Sequence, residues 1–208
     1  SLTKVRSIQI FVLGNALNPG AYTVSSLSNI ANVLFFSGGP NENGSLREIS
    51  LKRDGVLIGN FDFYDLLING NISSELKIMS NDVLVINPIR KSVKIMGEIR
   101  NPAKYELLEK EDFSDLLRFS SGFATNADKN KITLSRLAKN GERIFKNYPH
   151  DKISEIKLED GDEIYIHKMP NTPRNIIKIF GETASKGSIA FEENLSVSEI
   201  IKPESFLE

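Results

Sequence analysis

The sequence predicts an α+β fold built as a tandem array of small domains, and three observations carry that prediction. The chain repeats itself. Val93-Lys94-Ile95-Met96-Gly97-Glu98-Ile99-Arg100-Asn101-Pro102-Ala103-Lys104-Tyr105 is a second version of Ile10-Phe11-Val12-Leu13-Gly14-Asn15-Ala16-Leu17-Asn18-Pro19-Gly20-Ala21-Tyr22, and a third begins at Ile177-Lys178-Ile179-Phe180-Gly181-Glu182. The glycines at 14, 97 and 181 stand 83 and 84 residues apart, a step of domain size, since solenoid units run roughly 20 to 50 residues. Each copy also opens on alternating apolar residues, and a segment of helical spacing follows.

The opening run is Ile8, Ile10 and Val12 in copy one, Val93 and Ile95 in copy two, Ile177 and Ile179 in copy three. Period-two spacing indicates a half-buried strand. The glycine that follows marks a bulge or a close backbone approach. Asn18-Pro19-Gly20 and Asn101-Pro102-Ala103 are turn signals, and Ala21–Val24 and Lys104–Leu107 return as second strands. A helix comes next. Leu27, Ile30, Ala31 and Leu34 share one helical face in copy one, ended by Gly38-Gly39. In copy two Asp112 caps Phe113–Phe119, with Phe113, Leu116 and Leu117 inward and Gly122 at the stop. In copy three Ser196-Val197-Ser198-Glu199 reads as a capping box before Ile200 and Ile201.

Strands Arg47–Lys52 and Val56–Gly59 follow, joined at Arg53-Asp54-Gly55; Ile132 and Leu134 match Ile49 and Leu51, and Asn140-Gly141 makes the corresponding turn. Phe61–Ile68 reads as a short helix, where copy two has the looser Tyr148–Ile153. Each copy closes on a turn and an apolar strand, Ser80–Ile86 and Asp160–Ile166. Hairpin, helix, strands and closing strand make the β-grasp arrangement. The expected fold is therefore tandem β-grasp domains, two complete and one truncated, over residues 5–88, 91–169 and 175–208. Asn87–Arg90 reads as a short, stiff link and Met169–Arg174 as a longer connector. The third copy runs for only about 30 residues, so the chain is expected to be a piece of something longer.

Composition narrows the function. The chain has 208 residues, 40% hydrophobic and 25% charged, an ordinary globular balance. A net charge of −1 argues against a nucleic-acid partner. There is no run of 18 apolar residues to cross a bilayer as a helix. Without cysteine there are no disulfides and no thiolate metal sites.

Gly14-Asn15-Ala16-Leu17-Asn18-Pro19-Gly20-Ala21-Tyr22, Ser37-Gly38-Gly39-Pro40, Gly44-Ser45-Leu46-Arg47-Glu48-Ile49, Lys52-Arg53-Asp54-Gly55, Phe63-Tyr64-Asp65-Leu66-Leu67 and Asn81-Asp82-Val83-Leu84-Val85 occur in this order. The series resembles the soluble-ligand-binding β-grasp (SLBB) domain, and most of all its copies in the capsule and exopolysaccharide export proteins of bacterial outer membranes. Copy two keeps Gly97-Glu98, Asn101-Pro102, Tyr105, Gly122 and Gly161-Asp162; copy three has Ser185-Lys186-Gly187 in place of the Asn-Pro turn. The resemblance implies a non-catalytic periplasmic module of an outer-membrane-associated protein. Its partners would be the exported polysaccharide, other copies arranged in a ring around a channel, and an inner-membrane polysaccharide co-polymerase, often a tyrosine autokinase. The export signature domain and the membrane-crossing helix of that family have no counterpart in these residues. This chain by itself is expected to be monomeric or weakly associating. The alternative is a soluble carbohydrate- or cofactor-binding module.

No cofactor and no metal are expected, and the candidate sites are few. Tyr22 and Tyr105 occupy equivalent positions and could stack on sugar rings, although packing the hairpin against the helix, with the hydroxyl at the surface, is the favoured role for both. Arg47, Lys52 and Arg53 could face an acidic glycan, against ordinary solvation on a strand face. Tyr22, Arg47, Arg53 and Tyr105 are therefore the ligand-binding candidates. Asp160, Asp162 and Glu163 form the densest carboxylate cluster, but the spacing is wrong for a calcium loop and favours a solvated turn. His150 and His167 lack the i, i+4 pairing of a metal site and read as surface or strand-edge residues. No phosphate loop precedes a helix, no Gly-x-Ser-x-Gly elbow is present, and no catalytic residue is assigned.

Overall fold

In the computed structural model the described residues are 6–71, 76–170, 176–180, 187–191 and Ser196. The chain divides into two units, Ser1–Lys168 and Met169–Glu208. The first unit holds both complete repeats. Domain 1 runs β1 (Ser7–Gly14), β2 (Gly20–Ser25), α1 (Ile30–Ser37), β3 (Gly44–Arg53), β4 (Val56–Phe61), α2 (Phe63–Asn69) and β5 (Val83–Pro88). Domain 2 runs β6 (Ser92–Gly97), β7 (Ala103–Glu106), α3 (Phe113–Phe119), β8 (Ala127–Leu137), β9 (Arg143–Tyr148), a 3₁₀ helix (His150–Glu155) and β10 (Glu163–Lys168).

Each domain is one five-stranded mixed sheet, in the orders β2-β1-β5-β3-β4 and β7-β6-β10-β8-β9. The first and last strands of each repeat lie side by side and parallel, β1 with β5 and β6 with β10. A parallel pair needs a long crossover, and the helix and the middle strands supply it. The tandem α+β fold is therefore as the sequence predicts.

Strand alternation builds both cores. Ile10, Val12, Ile49, Leu51, Leu84 and Ile86 are buried in domain 1, and Val93, Ile95, Ile132, Leu134, Ile164 and Ile166 are their counterparts in domain 2. Gly14 and Gly97 occupy positive φ, 79° and 87°. A Cβ at either would run into a carbonyl oxygen of the parallel neighbour, that of Ile86 or Ile166, so the close approach expected of these glycines is present in both copies.

The first helix starts later than its apolar spacing predicts. Leu27 precedes the cap and is exposed. The Asn29 side chain accepts from the Asn32 amide at 2.9 Å while the Asn32 side chain accepts from the Asn29 amide at 3.1 Å. That reciprocal cap sets the first turn at Ile30, and the buried face is Ile30, Ala31, Val33 and Leu34. Asp112 caps α3 in the same way, with Phe113 and Leu116 buried and Leu117 half-buried. Both helices stop alike: Gly39 donates to the Leu34 carbonyl and Gly122 to that of Leu117, each at 2.8 Å.

The repeats diverge after their third strand. Asp54 and Gly55 both take positive φ in a two-residue hairpin turn. In the β8–β9 loop Gly141 has positive φ and donates to the Ala138 carbonyl at 2.9 Å, a longer connection than the expected dipeptide turn. The 3₁₀ helix then replaces α2, and the offset between repeats falls from 83 to 80 residues by Asp82 and Asp162.

In the second unit β11 (Ile176–Ile179) and β12 (Gly187–Ala190) form an antiparallel pair. Ile177 faces Ile189, as Ile10 faces Tyr22 and Val93 faces Tyr105. The expected helix with Ile200 and Ile201, and Val197–Glu199 of its cap, lie outside the described residues.

Candidate functional site at the domain junction

The most elaborate polar arrangement of the first unit joins its two domains. Arg47, on β3, has a side chain only 6% exposed and pairs with Asp62 of its own domain and Glu111 of domain 2. Its Nε and Nη2 donate to Asp62 at 3.0 and 2.8 Å. The guanidinium lies over the rings of Tyr64, 4.7 Å from the centroid, and Phe119, at 5.1 Å. Both carboxylates are held in place by backbone amides: Asp62 accepts from Tyr64 N and Glu111 from Leu108 N, each at 2.8 Å. Burial alone would lower the Arg47 pKa, but the bonds and charges of Asp62 and Glu111 outweigh it and hold the pKa above its ordinary value.

Glu106, at the end of β7, crosses the junction in the other direction. Ser45 Oγ donates to it at 2.5 Å and Leu46 N at 2.9 Å. Burial pushes its carboxyl above the ordinary range, against the pull of those two donors and of Arg47. The Glu106 amide donates to the Tyr64 hydroxyl at 3.0 Å, and the Tyr64 ring meets Phe119 edge-on at 5.2 Å. A cleft of about 260 Å³ opens beside these residues, lined by Pro40, Leu46, Tyr64, Lys104 and Glu106 among others. That volume lies below the roughly 300–1,000 Å³ usual for small-molecule sites. Its one buried carboxylate is already engaged. What this chemistry does is clamp two β-grasp domains together.

The four candidate residues from the sequence lie apart, each with its own partner. Tyr22 OH donates to the Asn18 carbonyl at 2.6 Å and Tyr105 OH to that of Asn101 at 2.8 Å, so each hydroxyl closes its own Asn-Pro turn. Arg53 Nε and Nη2 donate to the two Asp82 oxygens at 2.8 and 2.9 Å. Of the four, Arg47 is the one whose side-chain bonds cross the junction.

In the carboxylate cluster Asp160 is exposed, as a solvated turn predicts, but Asp162 is not. Asp162 is 1% exposed. It accepts from Arg136 Nε at 2.8 Å, from Arg136 Nη2 at 2.7 Å and from Glu159 N at 2.8 Å. Asp160 accepts from Ser92 N at 2.8 Å, and Arg143 donates to Glu163 at 2.6 Å. The Arg136–Asp162 pair repeats Arg53–Asp82, where Met79 N supplies the equivalent amide at 2.7 Å. The 83-residue match of Arg53 to Arg136 was the available signal for it. His167 Nε2 lies 2.8 Å from Thr133 Oγ1, and burial lowers its pKa, with help from Lys131. His150 lies against Phe123.

The family model of the SLBB domain matches residues 9–61 and 92–145, one stretch in each sheet and together just over half of the chain. The chain belongs to the SLBB domain family. Arg47 falls in the first SLBB match and Glu106 and Glu111 in the second, so the clamp joins two SLBB domains to each other. Over 110 residues, 52% of the chain, it is 27% identical to the polysialic acid transport protein KpsD of Escherichia coli, and a second curated relative of the same name and organism matches equally well. The matched stretch spans 20% of the length of those relatives. The chain is thus a relative of polysaccharide export proteins.

Proposed function

We propose that this chain is a non-catalytic structural module of a polysaccharide export protein, working in the periplasm as part of an outer-membrane-associated assembly. The observation that carries the reading is the pair of SLBB domains clamped through Arg47, in a chain similar to a polysialic acid transport protein. A clamped pair suits a load-bearing role. Among the described residues the buried charges Arg47, Asp82 and Asp162 are engaged in ion pairs and Glu106 accepts from Ser45 and Leu46, an arrangement that supports architecture over proton transfer. In the finer form of the reading, copies stand in a ring around the export channel, the polymer passes through it, and an inner-membrane co-polymerase docks from below. A ring of this kind needs head-to-tail contacts.

The test is genetic. Removing the gene should strip the cell surface of the polysaccharide and leave polymer in the periplasm, measured by sugar analysis of fractionated cells. Unchanged surface polysaccharide overturns the proposal. Saturable binding of a short acidic glycan by the isolated chain, with export intact, would favour the carbohydrate-binding module instead.

A further inference from the structure

An aromatic ring and two unpaired cations converge beside β9, the edge strand of domain 2. Alternation puts Ile144, Lys146 and Tyr148 on one face of that strand, in register with Arg136, Leu134 and Ile132 of β8. Glu155, Lys157 and Glu159, from the stretch leading into β10, form the facing wall. The cleft between them holds about 330 Å³, inside the range of roughly 300–1,000 Å³ usual for small-molecule sites.

In domain 1 the same place is filled by packing. Leu51 pairs with Gly59 as Leu134 pairs with Lys146, and Ile49 pairs with Phe61 as Ile132 pairs with Tyr148. The bare backbone of Gly59 lets Leu76 lie against β4, since a Cβ there would come within 2.7 Å of the Leu76 side chain. Phe61 beside it is buried. Domain 2 has a lysine for that glycine and a tyrosine for that phenylalanine. Apolar packing gives way to a polar cleft, and Tyr148 is half-buried at its side.

The charges of the cleft are unevenly satisfied. Arg136 is engaged by Asp162 and Glu159. Among the described residues Lys146 and Lys157 have no carboxylate within ion-pair distance, and the Tyr148 hydroxyl and Glu155 have no hydrogen-bond partner. Leu134 and Ile144 supply an apolar floor. A bare inorganic anion would satisfy the lysines and leave the ring and the floor in water, and the one guanidinium that could grip it with two parallel bonds is already taken. A neutral sugar would cover the ring and leave the lysines unanswered. A sugar that carries a carboxylate uses both: the carboxylate takes the two ammonium groups, the apolar face of the sugar covers the Tyr148 ring, and a sugar hydroxyl donates to Glu155.

We propose that the cleft between β9 and the Glu155–Glu159 stretch binds one carboxylate-bearing sugar residue, with Lys146 and Lys157 on the carboxylate and Tyr148 against the ring. Domain 2 then carries a binding site that domain 1 lacks at the equivalent place, and the two repeats divide into a packed domain and a ligand-holding one. The site is argued from its own lining and does not rest on the export reading.

Titration of the whole chain with glucuronate, read by amide NMR shifts, tests it, with glucose and inorganic phosphate as comparison probes. Glucuronate should bind saturably with a Kd of about 1 mM, and the shifts should cluster on β9 and residues 155–159. Glucose and phosphate should bind at least about tenfold more weakly, since each uses only part of the lining. Lys146→Gln and Lys157→Gln should each weaken glucuronate binding about fivefold, the scale of one exposed ion pair. Lys139→Gln, an exposed lysine of the β8–β9 loop, should leave it unchanged. Circular dichroism should be the same for all three variants because these side chains are exposed. No saturation, glucose or phosphate bound as tightly as glucuronate, or an equal loss in Lys139→Gln would each overturn the proposal. Glucuronate binding in a protein whose loss leaves surface polysaccharide intact would keep the site and remove the export reading; a silent cleft in a protein whose loss strips the surface would do the reverse.

Discussion

Arg47 reaches across the domain boundary to Glu111, 64 residues along the chain, with its guanidinium sandwiched against Tyr64 and Phe119. The contact draws on every level of the sequence. Asp62 is oriented because it caps α2, Glu111 because it closes the loop before α3, and Phe119 is present because α3 runs one turn past its buried Leu116. Only the short link between Pro88 and Ser92 joins the two small domains covalently. The ion pair and the rings around it make them one unit.

Arg47→Ala should therefore cost about 3 kcal/mol, because it strands a largely buried carboxylate on domain 2. Urea denaturation is expected to split into two transitions, one for each domain. The double variant Arg47→Met/Glu111→Leu removes both charges and should regain most of the loss. A single unshifted transition in Arg47→Ala would show that the clamp contributes nothing.

The paired staples Arg53–Asp82 and Arg136–Asp162 do the same work in each domain: the aspartate ties an arginine of the third strand to the amide three residues before it. Asp82→Ala should destabilise domain 1 by about 3 kcal/mol, since it leaves Arg53 without its counterion. Asp162→Ala should cost domain 2 less by thermal unfolding, because Arg136 keeps Glu159. A loss at one site alone would mean that the repeat preserves the geometry without the energetics.

Local signals made the fold legible and left the junction hidden. Alternation at Ile10 and Val12, the glycine after them and the Asn-Pro turn are all short-range features, and each predicts its element. The apolar spacing through Leu27 misplaces a helix start because it is blind to the Asn29–Asn32 cap, which depends on polar side chains. Asp162 looks like turn polarity because its arginine is 26 residues upstream. Arg47 looks like a strand-face charge for the same reason, with its second carboxylate a domain away. Periodicity reads faces, and long-range ion pairs have no period.

Gly14→Ala and Gly97→Ala should each cost at least about 2 kcal/mol, the penalty of positive φ for a side chain plus the clash with the neighbouring carbonyl. Gly141→Ala is the control. It has positive φ with open space around it, so it should cost about 1 kcal/mol. Denaturation midpoints of the three variants decide the matter. If Gly14→Ala is no worse than Gly141→Ala, the parallel strands can part to admit a methyl group.

Glu106 makes the junction sensitive to pH, and the sign follows from its burial. Its folded pKa is raised, so the folded chain keeps a proton that the unfolded chain releases at the ordinary carboxylate value. Below that value the contribution to stability is complete. As pH rises towards the folded pKa the unfolded state binds fewer protons than the folded one, and stability falls. Glu106→Gln removes this titration while keeping a carbonyl acceptor for Ser45 or Leu46. The difference in melting temperature between variant and wild type should therefore move in favour of glutamine over the pH window that opens above the ordinary carboxylate value. A difference that stays constant across that window would mean that Ser45, Leu46 and Arg47 fully offset the desolvation of the carboxylate, and that Glu106 crosses the junction as an ordinary anion.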